Sequence, residues 1–201
     1  MKHLHRLSKL TLTLSLAASA IVMVPNTALA NHSVGVKAGG GGVDYKGKDT
    51  DGQGLGEVYA FYQYKFMPMF SIEIAGVAAG DIDIWDCEKD TNSQWQCSID
   101  DDEFSLQADK LTYNGAIAAL VTEVRLTKRN SLYAKAGAIF YNYEMKLDGD
   151  VIADDDGTGL VMEAGWQYRW DNGIGLNFGF HKRDMGDLET AGSSVGLSYS
   201  F

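Results

Sequence analysis

Beyond Val24 no apolar run is long enough to cross a membrane as a helix, yet apolar residues recur at every second position along most of the chain. A period of two puts them on one face of a strand and their neighbours on the other. Eight runs carry the pattern. Residues 33–43 set Val34, Val36 and Ala38 against Gly35, Lys37, Gly39 and Gly41. Residues 55–66 set Val58, Ala60, Tyr62, Tyr64 and Phe66 against Glu57, Tyr59, Phe61, Gln63 and Lys65. Residues 69–79 set Phe70, Ile72 and Ile74 against Ser71, Glu73 and Ala75. Residues 111–126 set Ala118, Leu120, Val124 and Leu126 against Tyr113, Gly115, Glu123 and Arg125. Residues 131–143 set Leu132, Ala134, Ala136, Ala138 and Phe140 against Tyr133, Lys135, Gly137 and Tyr141. Residues 159–170 set Leu160, Met162, Trp166, Tyr168 and Trp170 against Glu163, Gly165, Gln167 and Arg169. Residues 174–182 set Ile174, Leu176, Phe178 and Phe180 against Gly175, Asn177, Gly179 and His181. The last run, 194–201, sets Val195, Leu197, Tyr199 and Phe201 against Ser194, Gly196, Ser198 and Ser200.

Each run is near the length of a tilted membrane-spanning strand. Strands that enter lipid must close into a barrel, because every backbone N–H and C=O there needs an internal partner. The connections sort by length. Met67-Pro68, Lys128-Arg129-Asn130 and Asp171-Asn172-Gly173 read as tight turns, the last with a favoured Asn-Gly pair. Longer acidic connections are expected over residues 44–54, 80–108, 145–158 and 183–192. With eight strands entering from the periplasm, the short turns fall inside and the long loops outside, which is the outer-membrane arrangement. Tyr64, Phe66, Phe70, Tyr168, Trp170, Tyr199 and Phe201 then form an outward aromatic girdle at the periplasmic interface.

Residues 1–30 read as a cleaved signal peptide. Lys2, Arg6 and Lys9 give a positive start, and residues 10–24 an apolar core short of the ~20 residues a spanning helix needs. Pro25-Asn26 breaks it, and Ala28-Leu29-Ala30 supplies the small residues of a cleavage site. Residues 31–201 form the barrel domain. Without the leader's cations, roughly 14 basic side chains face 27 acidic ones, a balance that disfavours nucleic acid. Cys87 and Cys97, alone in an exported chain, read as a disulfide closing a short loop.

The chain resembles the OmpA-like or porin-family eight-stranded outer-membrane proteins. The resemblance rests on the patterning, on Leu132-Tyr133-Ala134-Lys135-Ala136-Gly137 and on the terminal Val195–Phe201 stretch. It implies an all-β, eight-stranded antiparallel transmembrane barrel in the outer membrane of a Gram-negative bacterium. It also implies that Ser194, Gly196, Tyr199 and Phe201 are a signal read by the barrel-assembly machinery. No sequence for a peptidoglycan-binding domain follows Phe201, so cell-wall tethering is not implied.

Side chains can fill the interior of a barrel this narrow. Lys37, Glu57, Lys65, Glu73, Glu123, Arg125, Lys135, Glu163, Arg169 and His181 are expected to face inward, with nearly balanced signs. The expectation is a charge network that plugs the lumen; the alternative is a narrow or gated ion path through it. Turns centred near Asn172 and Asp187 would place Glu163, His181 and Ser194 on neighbouring strands, the constituents of an activated serine. That set points into the lumen and has no identifiable oxyanion donor, so no catalytic residue is assigned, and a lipid A-modifying activity ranks below the other readings.

The loops offer the surface chemistry. Asp154, Asp155 and Asp156 suggest weak Ca²⁺ binding, since Ca²⁺ takes clustered carboxylates. Trp85 and Trp95 flank the cysteines, where aromatics on a stapled loop suit a binding surface. The expected partners are outer-membrane lipid, lipopolysaccharide and a host or surface ligand. No cofactor is expected, and a barrel of this kind is complete as a monomer. The functional expectation is a structural and surface-interaction protein, with a small pore as the alternative.

Overall fold

The computed structural model describes residues 31–45, 48–49, 54–81, 86–89, 95–98, 110–147 and 150–201. The signal-peptide reading of residues 1–30 and the position of Trp85 lie outside them. Eleven strands follow in order: β1 His32–Tyr45, β2 Lys48–Asp49, β3 Leu55–Met67, β4 Phe70–Asp81, β5 Asp86–Lys89, β6 Trp95–Ser98, β7 Lys110–Arg125, β8 Asn130–Leu147, β9 Asp150–Arg169, β10 Ile174–Met185 and β11 Leu188–Ser200. Eight of them pair in the order β11-β10-β9-β8-β7-β4-β3-β1, and β1 pairs back onto β11. Every pairing is antiparallel, so the result is the closed eight-stranded up-and-down barrel that the alternation implied. The seam runs in unbroken register from Ser33 opposite Ser200 to Tyr45 opposite Leu188. It is fastened where Phe201 N donates to His32 O at 2.8 Å.

Closure leaves the apolar set facing out. Val36, Val58, Ile74, Leu160, Met162, Phe180 and Leu197 are each more than half exposed. In water that belt would be a large unprotected apolar surface; in lipid it is the required one. Tyr64, Phe66, Phe70, Trp170 and Phe201 are exposed at the end where β1 begins and β11 stops. His32 joins this girdle, its ring stacked on Phe201 at 5.7 Å.

The short turns fall as expected, with Gly173 at φ 88° closing the β9–β10 hairpin. The opposite end differs from expectation. Residues 145–158 and 183–192 are not loops but mostly strand. β8 runs to Leu147 and β9 starts at Asp150, while β10 and β11 are joined through Gly186 and Asp187, with Gly186 at φ 72°. A spanning strand needs only ~9–11 residues, and β8 and β9 have 18 and 20. Their outer parts therefore project beyond the lipid belt. The outward face confirms this, changing there from Leu160 and Phe140 to Asn142, Glu144, Asp154 and Asp156. Beneath this polar shell, inward Val43, Leu55, Leu111, Tyr143, Met145, Met185 and Leu188 are buried together in an apolar core.

β5 and β6 form a separate two-stranded ribbon within the β4–β7 connection, with the backbone of Cys87 directly opposite that of Cys97.

Candidate functional site in the barrel lumen

The interior is filled by unequal walls. β9, β10, β11 and β1 present Gly165, Gly179, Gly196 and Gly35 inward, while β3, β4, β7 and β8 present Tyr59, Phe61, Glu73, Tyr113, Tyr133 and Lys135. Several of the large side chains lie over these glycines. A Cβ on Gly35 would sit 2.5 Å from the Phe61 ring, and one on Gly179 would sit 2.5 Å from the Tyr133 hydroxyl. Glycine is thus required where a large side chain from a nearby strand folds over it.

Three layers of charge stack along the axis. In the middle layer Lys135 Nζ lies 2.9 Å from Glu73 Oε1 and 2.6 Å from Glu163 Oε2. Lys37 pairs with the other oxygen of Glu163, which also accepts from the Tyr133 hydroxyl at 2.6 Å. The Tyr59 hydroxyl donates to Glu73 and accepts from Lys135 at 2.9 Å. Lys37 sits 5.2–5.4 Å from the ring centres of Tyr59, Phe61 and Tyr133, within cation–π range. Two cations and two carboxylates balance, and each is almost wholly buried.

Above it, Glu57 is gripped by Arg183, with Nη2 at 3.1 Å from Oε1 and Nη1 on Oε2. Tyr113 donates to the same carboxylate at 3.0 Å. His181 Nε2 approaches it at 3.4 Å, while its Nδ1 has no partner among the described residues. Arg183 is a member that sequence reasoning missed, because the seventh run was ended at Lys182. The signal was present: Arg183 continues the inward parity of His181, and Gly186-Asp187 is a hairpin pair.

The third layer lies at the mouth near both ends of the barrel chain. Lys65 Nζ lies 2.9 Å from Glu123 Oε2, and Arg169 Nη2 and Arg125 Nε each stand 3.9 Å from a Glu123 oxygen. Arg125 departs from expectation, since its side chain is 66% exposed and rims the mouth instead of joining the plug. Between this layer and the middle one is a cavity of about 20 Å³, lined by Lys37, Gln63, Glu73, Glu123, Gln167 and Asn177 among others. That is room for about one water molecule.

The serine constellation does not assemble as expected. Glu163 is opposite His181, but His181 is opposite Gly192, and Ser194 is opposite Gly179. The hairpin turns at Gly186-Asp187 with no loop, and this moves the pairing by two residues. The calcium expectation fails on pleat. Asp154 and Asp156 pair with outward Glu144 and Asn142, whereas Asp155 pairs with inward Tyr143 and approaches the Tyr141 hydroxyl at 3.4 Å. The three carboxylates do not share a face. Among the described residues no group of three His, Cys, Asp or Glu side chains is placed to hold a metal. Trp95 begins β6. Ser194, Gly196 and Tyr199 lie on the seam strand, and Phe201 follows it.

Two short turns are tied outside the barrel. Arg129 Nε donates to Asp171 Oδ1 at 3.3 Å, and Nη2 to Oδ2. This hydrogen bonding and the adjacent charge hold the Asp171 carboxyl below the usual range.

The outer membrane protein beta-barrel domain family matches residues 14–201. No curated protein matches the chain at a significant level. Among solved structures, Ail, the attachment invasion locus protein of Yersinia pestis, in complex with the heparin analogue sucrose octasulfate, aligns with TM-score 0.55 at 16% identity, covering 85% of this chain and 97% of that one. Neisserial surface protein A aligns with TM-score 0.63 at 10% identity over 85% and 97%. OprG from Pseudomonas aeruginosa aligns with TM-score 0.51 at 12% identity over 86% and 96%. At these identities the likeness is one of fold, while the family match spans the whole barrel and places it in the outer membrane. The chain belongs to the outer membrane protein beta-barrel domain family.

Proposed function

We propose that this protein is a non-conducting, non-catalytic outer-membrane barrel whose role is structural and surface-directed. One observation supports the reading: two packed stretches of side chains lie in series along the lumen. The paired layers around Lys135 and Arg183 fill its middle, and the apolar core of Leu111, Met185 and Leu188 fills its outer part. An ion would have to displace paired buried charges and then cross a tightly packed, mainly apolar stretch. The outer rim supports a surface role. Asp44, Glu144, Asp154, Asp156, Asp184 and Glu189 outnumber Lys146 and Lys182 there. Such a rim repels polyanions, so the sulfated ligand bound by Ail does not carry over. A cationic surface, or lipopolysaccharide bridged by divalent ions, fits better. The ribbon holding Cys87, Cys97 and Trp95, which Trp85 precedes in sequence, would supply the specific contacts.

Planar-bilayer recording of the folded protein purified from membranes tests the closure. Silence is the expected result, and discrete steps shifted by Lys135 or Glu123 substitutions would make it a pore. Replacing residues 82–109 by a short turn tests the surface role. Cell-surface binding should be lost with the barrel intact, and retained binding would remove the ribbon from the function.

A further inference from the structure

We propose that the periplasmic mouth of the barrel is a binding site for a phosphate-type oxyanion. The argument begins with a charge imbalance. The two upper layers are neutral, each cation matched by a carboxylate. In the mouth, Lys65, Arg125 and Arg169 share the single carboxylate of Glu123. Lys65, at 2.9 Å, is the only one of the three at hydrogen-bond distance. The two guanidinium groups, at 3.9 Å, are held near the carboxylate but not bonded to it. Arg169 is engaged on its own strand. Arg169 Nη2 donates to Gln167 Oε1 at 2.8 Å, and its Nε is buried with no partner among the described residues.

Cationic groups that outnumber the carboxylates beside them are matched by binding an anion at the open mouth. Two guanidinium groups and a lysine gathered at one mouth around a single carboxylate match an oxyanion in charge. An excess of two positive charges fits a dianion. The site is blind: the neutral Lys135 layer closes it from above, so a ligand enters and leaves on the periplasmic side. That side offers two sources of the same chemistry, free phosphate groups and the phosphodiester headgroups of the inner leaflet. Arg125, at the exposed rim, is placed to meet either.

The test uses folded protein purified from membranes and reconstituted in phosphatidylcholine nanodiscs. Inorganic phosphate is titrated and followed by calorimetry and phosphorus NMR. Saturable binding is expected. Arg169→Gln should weaken it about tenfold, the loss of one charge-assisted contact. Arg125→Gln should also weaken it, and because that side chain is exposed, folding is retained even if Arg169→Gln impairs it. Glu123→Gln removes the competing carboxylate and should tighten binding. In a second arm, nanodiscs containing phosphatidylglycerol are examined by native mass spectrometry. Lipid retained by the native protein and lost in Arg125→Gln, with no binding of free phosphate, assigns the site to headgroups. Binding of phosphate unaffected by the lipid assigns it to the soluble ion. Absence of both, or binding unchanged in both arginine variants, overturns the proposal.

Discussion

Arg183 on β10 grips Glu57 on β3 across the closing β11–β1 seam, its two terminal nitrogens on the two carboxylate oxygens, one of them at 3.1 Å. The residues are 126 positions apart in the chain. The contact therefore exists only once the barrel has closed. Removing either partner leaves a buried charge uncompensated. Glu57→Gln or Arg183→Met should each destabilise the folded barrel by about 3–5 kcal/mol, while the double substitution should recover much of that loss. Urea unfolding of the four proteins, followed by tryptophan fluorescence, gives the coupling directly. Additive losses would show that the pair does not act as a unit.

Lys135 is the most connected cation, joined to Glu73 and Glu163. Lys135→Ala leaves two carboxylates facing each other in a dry interior, and should lower stability by at least as much as the Glu57 variant, about 3–5 kcal/mol. The apolar core above it is untouched, so the variant should still be silent in a planar bilayer. Conduction by Lys135→Ala would mean that the charge layer alone holds the lumen shut.

The glycine wall makes a prediction of opposite character, because it adds atoms. A Cβ on Gly41 would lie 2.0 Å from Ala191 O, a backbone atom that cannot swing away. Gly41→Ala should therefore weaken the β1–β11 seam. A lower temperature for loss of the compact, heat-modifiable band on electrophoresis reads this out. At Gly179 the obstructing atom is the end of the Tyr133 side chain, so Gly179→Ala combined with Tyr133→Phe should be better tolerated than Gly179→Ala alone.

The Arg129–Asp171 pair predicts a pH effect with a definite sign. The folded state holds the Asp171 carboxyl below its unfolded value. Its contribution is therefore fully present above the ordinary carboxylate range and is lost as pH falls through the lowered folded value. The pair is exposed, so the effect is small. Melting curves from neutral pH to pH ~3 should show a slightly shallower acid slope in Asp171→Asn than in the native protein. An identical slope would remove the pair from the stability of the turns.

The ribbon gives a last test. The backbones of Cys87 and Cys97 face each other in a sheet separate from the barrel. Reduction, or the double substitution to Ser, should change electrophoretic mobility without moving the melting temperature of the barrel. A barrel that melts earlier on reduction would show that the ribbon packs on it.

The barrel was legible because lipid enforces contrast. Where strands cross the bilayer, a residue such as Leu160 or Phe178 must be apolar and its neighbour need not be, so the period of two stands out. Beyond the lipid that contrast vanishes. Asp154, Asp156, Asp184 and Glu189 are outward strand positions facing water, and in sequence they look like loop. The extensions of β8 to β11 were missed for that reason, and Arg183 with them. Glu163 opposite His181 was predicted correctly, since the Asn172-Gly173 turn fixes that register. Ser194 was misplaced because the Gly186-Asp187 hairpin was read as a loop. Arg125 kept the inward parity of its strand, but it stands one step too close to the mouth to be covered.

The apolar core under the polar outer shell gives this membrane protein a calorimetric split. When the lipid belt unfolds within a bilayer or micelle, its outward side chains go from lipid to a similar medium. Val43, Leu111, Met185 and Leu188 would instead unfold into water, and newly hydrated apolar surface raises heat capacity. Warming should therefore act on the two ends of one barrel by different laws. The outer end should show the curved, cold-sensitive stability of a soluble domain, while the belt beneath it stays nearly indifferent to cooling.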